Sequence, residues 1–233
     1  GHKQPKVPLW GYEDESDPIV MEKKIAAALS HGVDGFVFDW YWFEDGAYRI
    51  RCLDEGFLGA SNAGDIKFAI MWANHDPILT HPGSRMYRCP PLLSGAISPK
   101  AFVEATDHCI KNYFTKPNYL KIDGGLYFSI FKLSYMVEGL GGVEAAREIF
   151  DDFRQRVRKA GLGELNINTI TTGIEVEDAE KEKQFLEKLG INSLATYGWI
   201  NTVGTFPYSD YWSVAQENIR SNETVTSKYK LPF

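Results

Sequence analysis

Three features are scarce in this 233-residue sequence: cysteine, surplus positive charge and long apolar runs. The three cysteines, Cys52, Cys89 and Cys109, form no C-x-x-C pair, which excludes a disulfide framework and the common zinc-finger pattern. Acidic residues outnumber basic ones by 31 to 25, and nonspecific nucleic-acid binding needs a basic face instead. No run of about 20 apolar residues exists that could span a membrane.

Several catalytic motifs are also missing. The sequence holds no G-x-S-x-G elbow, no P-loop and no H-E-x-x-H pair, so we expect no nucleotide or other cofactor. His75 and Asp76 could bind a metal, but no third ligand stands at a recognisable spacing, and we predict no metal site. No signal peptide opens the sequence. We therefore expect a periplasmic or extracellular location if one was removed, and a cytoplasmic location otherwise.

Short apolar runs alternate with helical patterns along the whole chain. Hydrophobic residues make up 44% and charged residues 24%, which is enough for a sizeable core, and no break in composition divides residues 1–233 into two domains. Helix starts are marked by Asp17 before Pro18 and by Ser98 before Pro99. The predicted strands cover residues 7–12, 35–40, 67–73, 126–131, 165–171 and 193–197. The predicted helices cover residues 17–31, 48–58, 98–114, 143–160, 179–189 and part of 210–229.

This alternation predicts an α/β fold with a parallel sheet. Strand starts about 30 residues apart favour a (β/α)8 TIM barrel. A doubly wound sheet would carry a glycine-rich turn after its first strand, whereas the turn here, residues 11–17, is acidic. About six strand–helix units are present, and a closed barrel needs eight and typically about 250 residues. We therefore expect one C-terminally truncated barrel domain, residues 1–233, that lacks strands seven and eight.

In such a barrel the active site lies at the carboxyl ends of the strands. The second predicted strand is the most informative, because Phe36, Phe38 and Trp40 alternate with Val37 and Asp39. A carboxylate inside so hydrophobic a strand must be paired, hydrogen-bonded or functional. We place Asp39 toward the barrel mouth as the first candidate catalytic residue, with a structural role as the open alternative. Trp40, on the other face, is expected to pack in the core.

Aromatic rings and polar groups gather at the other strand ends. A sugar ring stacks its apolar C–H face on an aromatic side chain, while its hydroxyls need carboxylates, amides or imidazoles. Asp76 is the second candidate catalytic residue. The segment after it, residues 76–97, is long for a loop in a barrel, so it forms either a cleft wall or a lid. The predicted substrate-binding residues are Tyr12, Glu13, Tyr41, Trp42, Trp72, Asn74, His75, Tyr197 and Trp199, although Trp72 could equally pack between strands and helices.

The sequence also resembles a known family. The stretch His31-Gly-Val-Asp-Gly-Phe-Val-Phe-Asp-Trp-Tyr-Trp-Phe43, followed by Phe68-Ala-Ile-Met-Trp-Ala-Asn74, is similar to WbsX-like proteins. These belong to the wider group around family 99 glycoside hydrolases, which includes endo-α-mannosidases. Tyr119-Leu-Lys-Ile-Asp-Gly-Gly-Leu-Tyr-Phe128 resembles the fourth strand of that group and the turn before it. The resemblance implies a (β/α)8 barrel acting on bacterial polysaccharide or host glycan.

Two departures from the family affect the site. WbsX-like proteins often carry an acid after the Trp-Ala-Asn motif, where this chain has His75 and then Asp76. The Trp- and Glu-rich catalytic motif of the family has no counterpart, which predicts a general acid and base beyond Phe233. The expected function is glycoside hydrolysis. The alternatives are a noncatalytic carbohydrate-binding barrel and a glycosyltransferase-associated protein of polysaccharide synthesis.

Overall fold

The computed structural model describes residues 6–78, 90–171, 179–197 and 206–232. These residues form an α/β fold around one seven-stranded sheet. Its strands are β1 (Gly35–Phe43), β2 (Gly46–Tyr48), β3 (Lys67–Trp72), β4 (Lys121–Ile122), β5 (Gly125–Ile130), β6 (Leu165–Ile170) and β7 (Ser193–Ala195). The α-helices are α1 (Pro18–Ser30), α2 (Pro99–Asn112), α3 (Leu133–Gly139), α4 (Val143–Lys159), α5 (Ala179–Leu189) and α6 (Tyr211–Tyr229).

The sheet order is β2-β1-β3-β5-β6-β7, and β4 pairs with β5. Strands β1, β3, β5, β6 and β7 are parallel neighbours, whereas β2 and β4 are antiparallel additions. The parallel strands follow one another in chain order. Because such crossovers are right-handed, the connecting helices lie on one face of the sheet. This arrangement confirms the predicted parallel α/β fold and is that of a partial barrel wall, not of a doubly wound sheet.

The predicted helices at 17–31, 98–114, 143–160 and 179–189 are confirmed as α1, α2, α4 and α5. The predicted N-caps are also present. The Asp17 carboxylate accepts a hydrogen bond from the backbone N–H of Ile19 at 2.9 Å, and the Ser98 hydroxyl accepts one from the backbone N–H of Ala101 at 3.3 Å. These side chains fix where α1 and α2 begin.

The predicted strand at 7–12 is wrong. Pro8 has no backbone N–H, and the N–H of Gly11 bonds back to the carbonyl of Pro8 at 2.9 Å, with Gly11 at φ +80°. The run therefore turns, and Leu9 is 98% exposed. The helix predicted at 48–58 is instead a π-helix, Cys52–Phe57, and the strand predicted at 35–40 extends to Phe43 before turning back into β2.

The two faces of β1 divide as the alternation predicts. Phe36, Phe38 and Trp40 pack against the core between the sheet and the helices. Val37 and Asp39 are exposed on the other side, and we call this side the open face. The register carries the division across the sheet, because Asp39 pairs with Met71, Met71 with Ser129, Ser129 with Asn168 and Asn168 with Ser193.

A polar ladder crosses the open face below the strand ends. The Ser129 hydroxyl donates to Oδ1 of Asn168 at 2.8 Å, and Nδ2 of Asn168 donates to the Ser193 hydroxyl at 2.8 Å. Asn168 is 1% exposed, and protein groups satisfy both the oxygen and the nitrogen of its side-chain amide, as a buried amide requires. The ladder ties β5, β6 and β7 in one register.

Replacing Asn168 by Leu is expected to lower the free energy of unfolding by about 1–3 kcal/mol, because the buried Ser129 hydroxyl loses its acceptor. Chemical denaturation measures this free energy. Asn166→Leu on the same strand is the control, since the Asn166 amide reaches only the Ile122 carbonyl at an exposed position. Equal losses of unfolding free energy in the two variants would show that the hydrogen bonds of the ladder add no stability of their own.

A second polar network lies behind β1, on the helix side. The Tyr113 hydroxyl donates to Oδ1 of Asp54 at 2.7 Å, and Nε1 of Trp40 donates to the same hydroxyl oxygen at 3.2 Å. Nε2 of His108 lies 3.1 Å from that oxygen. Burial, followed by the hydrogen bond to Asp54, raises the pKa of Tyr113, so the phenol stays protonated. The π-helix places Asp54 and α2 places His108, so the network joins both elements to the strand that carries Asp39.

Stability should fall as the pH drops from about 7 to about 5. Burial lowers the pKa of His108 below its ordinary value, the charge of Lys111 adds to this effect, and Asp54 opposes it. The unfolded chain then binds a proton at His108 more readily than the folded one, so the penalty begins near the ordinary pKa of about 6.5 and grows at lower pH. Urea denaturation across this range measures the slope. In His108→Gln the slope should flatten, and parallel slopes in both proteins would assign it to another group.

Candidate functional site

The carboxyl ends of β1, β3, β5 and β7 meet around a cleft on the open face. A cavity of about 390 Å³ lies there, lined by Asp39, Met71, Ala73, His75, Phe131, Lys132 and Tyr197. A second cavity of about 220 Å³ lies deeper along the same face, lined by Val37, Asp39, Met71, Tyr127, Ser129, Ile170, Ala195, Thr196 and Tyr197. Asp39, Met71 and Tyr197 border both cavities, so they stand at the junction.

Asp39 is the carboxylate at that junction. The Tyr197 hydroxyl donates a hydrogen bond to Oδ2 of Asp39 at 3.2 Å, although the two residues are 158 positions apart in sequence. The negative charge of Asp39 is the main cause that raises the pKa of Tyr197, because it disfavours a phenolate. The phenol of Tyr197 therefore stays protonated at neutral pH, and its hydroxyl is the donor in this pair. Asp39 is exposed, so its remaining lone pairs are accessible to a ligand.

Aromatic rings form an arc along the cleft. The Tyr41 ring lies edge-on to the His75 ring at 5.8 Å, and the His75 ring lies 5.9 Å from that of Phe131. The Phe131 ring is 5.2 Å from that of Tyr197, which closes the arc at Asp39. Burial, and then the charge of Asp39, raise the pKa of Tyr41. These contacts bring together four of the predicted site residues: Asp39, Tyr41, His75 and Tyr197.

Asp76 lies after β3, next to His75, and its carboxylate holds other parts of the chain in place. Its Oδ1 accepts from the backbone N–H of Gly95 at 2.7 Å, and its Oδ2 accepts from the Tyr135 hydroxyl at 3.4 Å. Gly95 fits only without a side chain, because an added Cβ would lie 2.6 Å from the carbonyl oxygen of Asn74. Asp76 therefore fastens the returning segment and α3 to β3, and we do not retain it as a catalytic candidate.

Trp72 and Trp42 belong to the helix side of the sheet, and Asn74 lies buried just beyond the end of β3. Trp72 is fully buried, stacks on Phe102 at 5.7 Å, and donates from Nε1 to the Trp42 carbonyl at 3.1 Å. Asn74 is also fully buried. Trp42 is partly buried and packs against the core. None of the three side chains lines either cavity on the open face, in contrast to their predicted place in the cleft.

Tyr12 and Glu13 lie beside α1 and do not line the two cavities. The Glu13 carboxylate pairs with Lys23 at 2.7 Å and with Lys24 at 3.7 Å, and Tyr12 is 69% exposed. Their predicted position rested on a strand at 7–12 that the structure does not contain. Trp199 and most of the predicted cleft wall, residues 79–89, lie outside the described residues.

Phe131 and Lys132 are cleft residues that sequence reasoning missed. Both follow β5 at its carboxyl end, so the rule that located Asp39 and His75 applies to them as well. Lys132 also places its ammonium group 5.2 Å from the centre of the Tyr135 ring. Met71 also lines the cleft and was not predicted, because an apolar residue inside a strand carries no signal that distinguishes the floor of a cleft from the core.

Within the described ranges, no group of three or more His, Cys, Asp or Glu side chains is arranged to hold a metal ion. The helices described for this chain include none that is both long and apolar enough to cross a membrane.

The fold and the cleft define a barrel-type α/β protein with a carboxylate and aromatic rings at the carboxyl ends of its strands. The chain belongs to the family described as glycosyltransferase WbsX, whose model matches residues 1–227. A search of curated proteins finds no match to the sequence.

Solved structures share this fold at low sequence identity. The GH99 endo-alpha-mannosidase from Bacteroides thetaiotaomicron is 16% identical with a TM-score of 0.52, and the alignment covers 93% of this chain and 54% of that one. A structure of the same enzyme in complex with BIS-TRIS-Propane is 15% identical with a TM-score of 0.53, and the alignment covers 93% of this chain and 57% of that one. A glycoside hydrolase-like protein is 16% identical with a TM-score of 0.59, and the alignment covers 99% of this chain and 66% of that one. The chain thus spans between about half and two thirds of the length of these proteins.

Proposed function

We propose that this chain carries part of the active site of a glycoside hydrolase that acts on a polysaccharide or other glycan. The observation that carries the proposal is the Asp39–Tyr197 pair at the carboxyl ends of the strands, next to the rings of Tyr41, His75 and Phe131. A carboxylate accepts hydrogen bonds from sugar hydroxyls, and an aromatic ring packs against the C–H face of the sugar. Membership in a glycan-related family supports the same assignment.

Glycosidic cleavage normally uses two carboxylates on either side of the bond. Among the described residues that line the two cavities, Asp39 is the only carboxylate. We therefore propose that Asp39 supplies one of the two or binds a sugar hydroxyl next to them, and that another part of the protein supplies the rest. Tyr197 positions Asp39 by donating to one oxygen, which leaves the other oxygen for the sugar.

The decisive experiment treats a panel of polysaccharides, including α-mannan and bacterial O-polysaccharides, with the complete gene product and measures release of reducing sugar. Hydrolysis predicts release without any nucleotide sugar. The family name raises a second candidate, glycosyl transfer, which predicts turnover only with a nucleotide-sugar donor. Binding without turnover under either condition would favour a noncatalytic carbohydrate-binding barrel and would contradict our proposal.

A further inference from the structure

The side chain of Asn74 continues the sheet beyond the point where its backbone ladder ends. The register of β3 and β5 stops at Trp72 and Ile130, and one more backbone bond joins the Phe131 N–H to the Trp72 carbonyl at 3.0 Å. Lys132 follows Phe131, beyond the end of β5. Its backbone N–H donates to Oδ1 of Asn74 at 2.8 Å, and its carbonyl accepts from Nδ2 of Asn74 at 2.7 Å.

The backbone of β3 cannot make this pair itself, because it turns away. The Asn74 N–H bonds back to the Trp72 carbonyl at 2.9 Å, and the His75 N–H bonds back to the Ala73 carbonyl at 3.0 Å. Two such tight turns in succession redirect the chain out of the sheet. The side-chain amide of Asn74 has one donor and one acceptor group, as a peptide unit has, and it replaces the missing backbone pair.

The residues held in this way form one wall of the cleft. Phe131 and Lys132 line the larger cavity together with Asp39. Phe131 contacts the Tyr197 ring at 5.2 Å, and Tyr197 donates to Asp39 at 3.2 Å. A displacement of residues 131–132 would therefore reach Asp39 through a single intervening side chain.

We infer that Asn74 is a positioning residue, whose buried amide pairs with both backbone groups of Lys132 and so fixes Phe131, Lys132 and, through Tyr197, the Asp39 carboxylate. The functional consequence rests on the function proposed above for the cleft. The geometric part, that Asn74 fixes the positions of these cleft residues, is independent of that function.

The informative variant is Asn74→Asp, which keeps the shape of the side chain. One carboxylate oxygen still accepts from the Lys132 N–H, but the other faces the Lys132 carbonyl, where a donor is required. Only the protonated acid has an O–H to donate there. The variant should therefore have the native cleft geometry at low pH, and it should lose that geometry at a pH where the carboxyl group ionises.

The chain offers a matched control in Asn118→Asp. Asn118 is 7% exposed, and its Nδ2 donates to the carbonyls of Ala63 at 2.8 Å and Ile66 at 3.0 Å. It lies at the amino end of β3, since its own carbonyl accepts from the Phe68 N–H. The control thus places an acid against backbone carbonyls at a buried site on the opposite edge of the sheet.

Aromatic 1H–13C NMR of the full chain decides the geometric part without any glycan. In Asn74→Asp, the signals of Phe131 and Tyr197 should move at about pH 8 and return to their wild-type positions at about pH 5, because the introduced acid titrates in a buried site. In Asn118→Asp these signals should stay at their wild-type positions at both values. Unmoved signals in Asn74→Asp, or equal movement in both variants, would overturn the inference.

The functional part is read on the best substrate of the polysaccharide panel. In the complete gene product, Asn74→Asp should lower kcat at about pH 8 by up to about 100-fold relative to Asn118→Asp, as a small misplacement of reacting groups can do. Wild-type turnover in Asn74→Asp at that pH would overturn positioning of the reaction. If no polysaccharide is cleaved by the wild type, the proposed function fails, and the NMR result still decides whether Asn74 sets the cleft.

Discussion

Replacing Asp39 by Asn should lower glycan turnover by the complete protein by at least about 100-fold, the range expected when a positioned acid or base is removed. Asn keeps the size of the side chain and still accepts a hydrogen bond from the Tyr197 hydroxyl, so the variant removes the charge and little else. Because Asp39 is exposed, the free energy of unfolding should change by no more than about 0.5 kcal/mol. Initial rates on the polysaccharide panel, together with thermal unfolding, measure both quantities.

Asp34→Asn is the matched control for this experiment. Asp34 is exposed just before β1, at the opposite edge of the sheet from the cleft. Its replacement by Asn removes the same negative charge as Asp39→Asn does. A second measurement needs no substrate: in Asp39→Asn the pKa of Tyr197 should fall, because the charge that raises it is gone. Equal turnover in the Asp34 and Asp39 variants would remove Asp39 from the site. An unchanged Tyr197 pKa would contradict their pairing in solution.

The largest effect on stability is expected for Trp72→Ala, which should lower the free energy of unfolding by about 3–5 kcal/mol. The indole is fully buried, stacks on Phe102 and meets the edge of Trp40 at 5.3 Å, so truncation leaves a cavity between the sheet and α2. It also removes the donor to the Trp42 carbonyl. Chemical denaturation measures the loss, and a chain of ordinary stability could fail to fold.

Trp72→Phe keeps the test informative if the alanine variant does not fold. Phenylalanine retains a ring between the sheet and α2 but loses the Nε1 donor, so the cost should be smaller than for Ala. Glycan binding by the folded Trp72→Phe protein should match wild type, since Trp72 does not line either cavity. A loss of glycan affinity at unchanged stability would instead return Trp72 to the cleft and contradict the assignment to the core.

Sequence patterns predicted most of the architecture because its signals are local. Pro99 after Ser98 begins α2, and a glycine follows each of α1, α4 and α5 closely, as the patterns require. The alternation on β1 also predicted correctly that Asp39 and Trp40 point to opposite faces. The first result follows from residues that begin or end helices and the second from the alternation along a strand, and both signals depend only on neighbours in the chain.

The site was harder to predict because a strand end specifies an edge of the sheet but not a face. The carboxyl end of β3 and the residues after it offer Trp72, Asn74 and His75 together, and only the register with β1 assigns Trp72 to a face. Asp39 pairs with Met71, so Met71 shares its face and Trp72 does not. Register depends on contacts between distant segments, and a shift by one residue exchanges the two faces. Tyr197 was predicted for the site from its own strand end, but its hydrogen bond to Asp39 joins residues 158 positions apart, and local patterns do not encode that pairing.

The hydroxyl of Tyr113 has a consequence for the chemistry of its neighbour. A phenol carries a single proton, and the hydrogen bond to the Asp54 carboxylate uses it, so the oxygen can only accept from Trp40 and from His108. The neutral imidazole of His108 must therefore carry its hydrogen on Nε2 and its lone pair on Nδ1. In 15N NMR spectra of the folded protein, His108 should accordingly show the Nε2–H tautomer, and Tyr113→Phe should release that constraint.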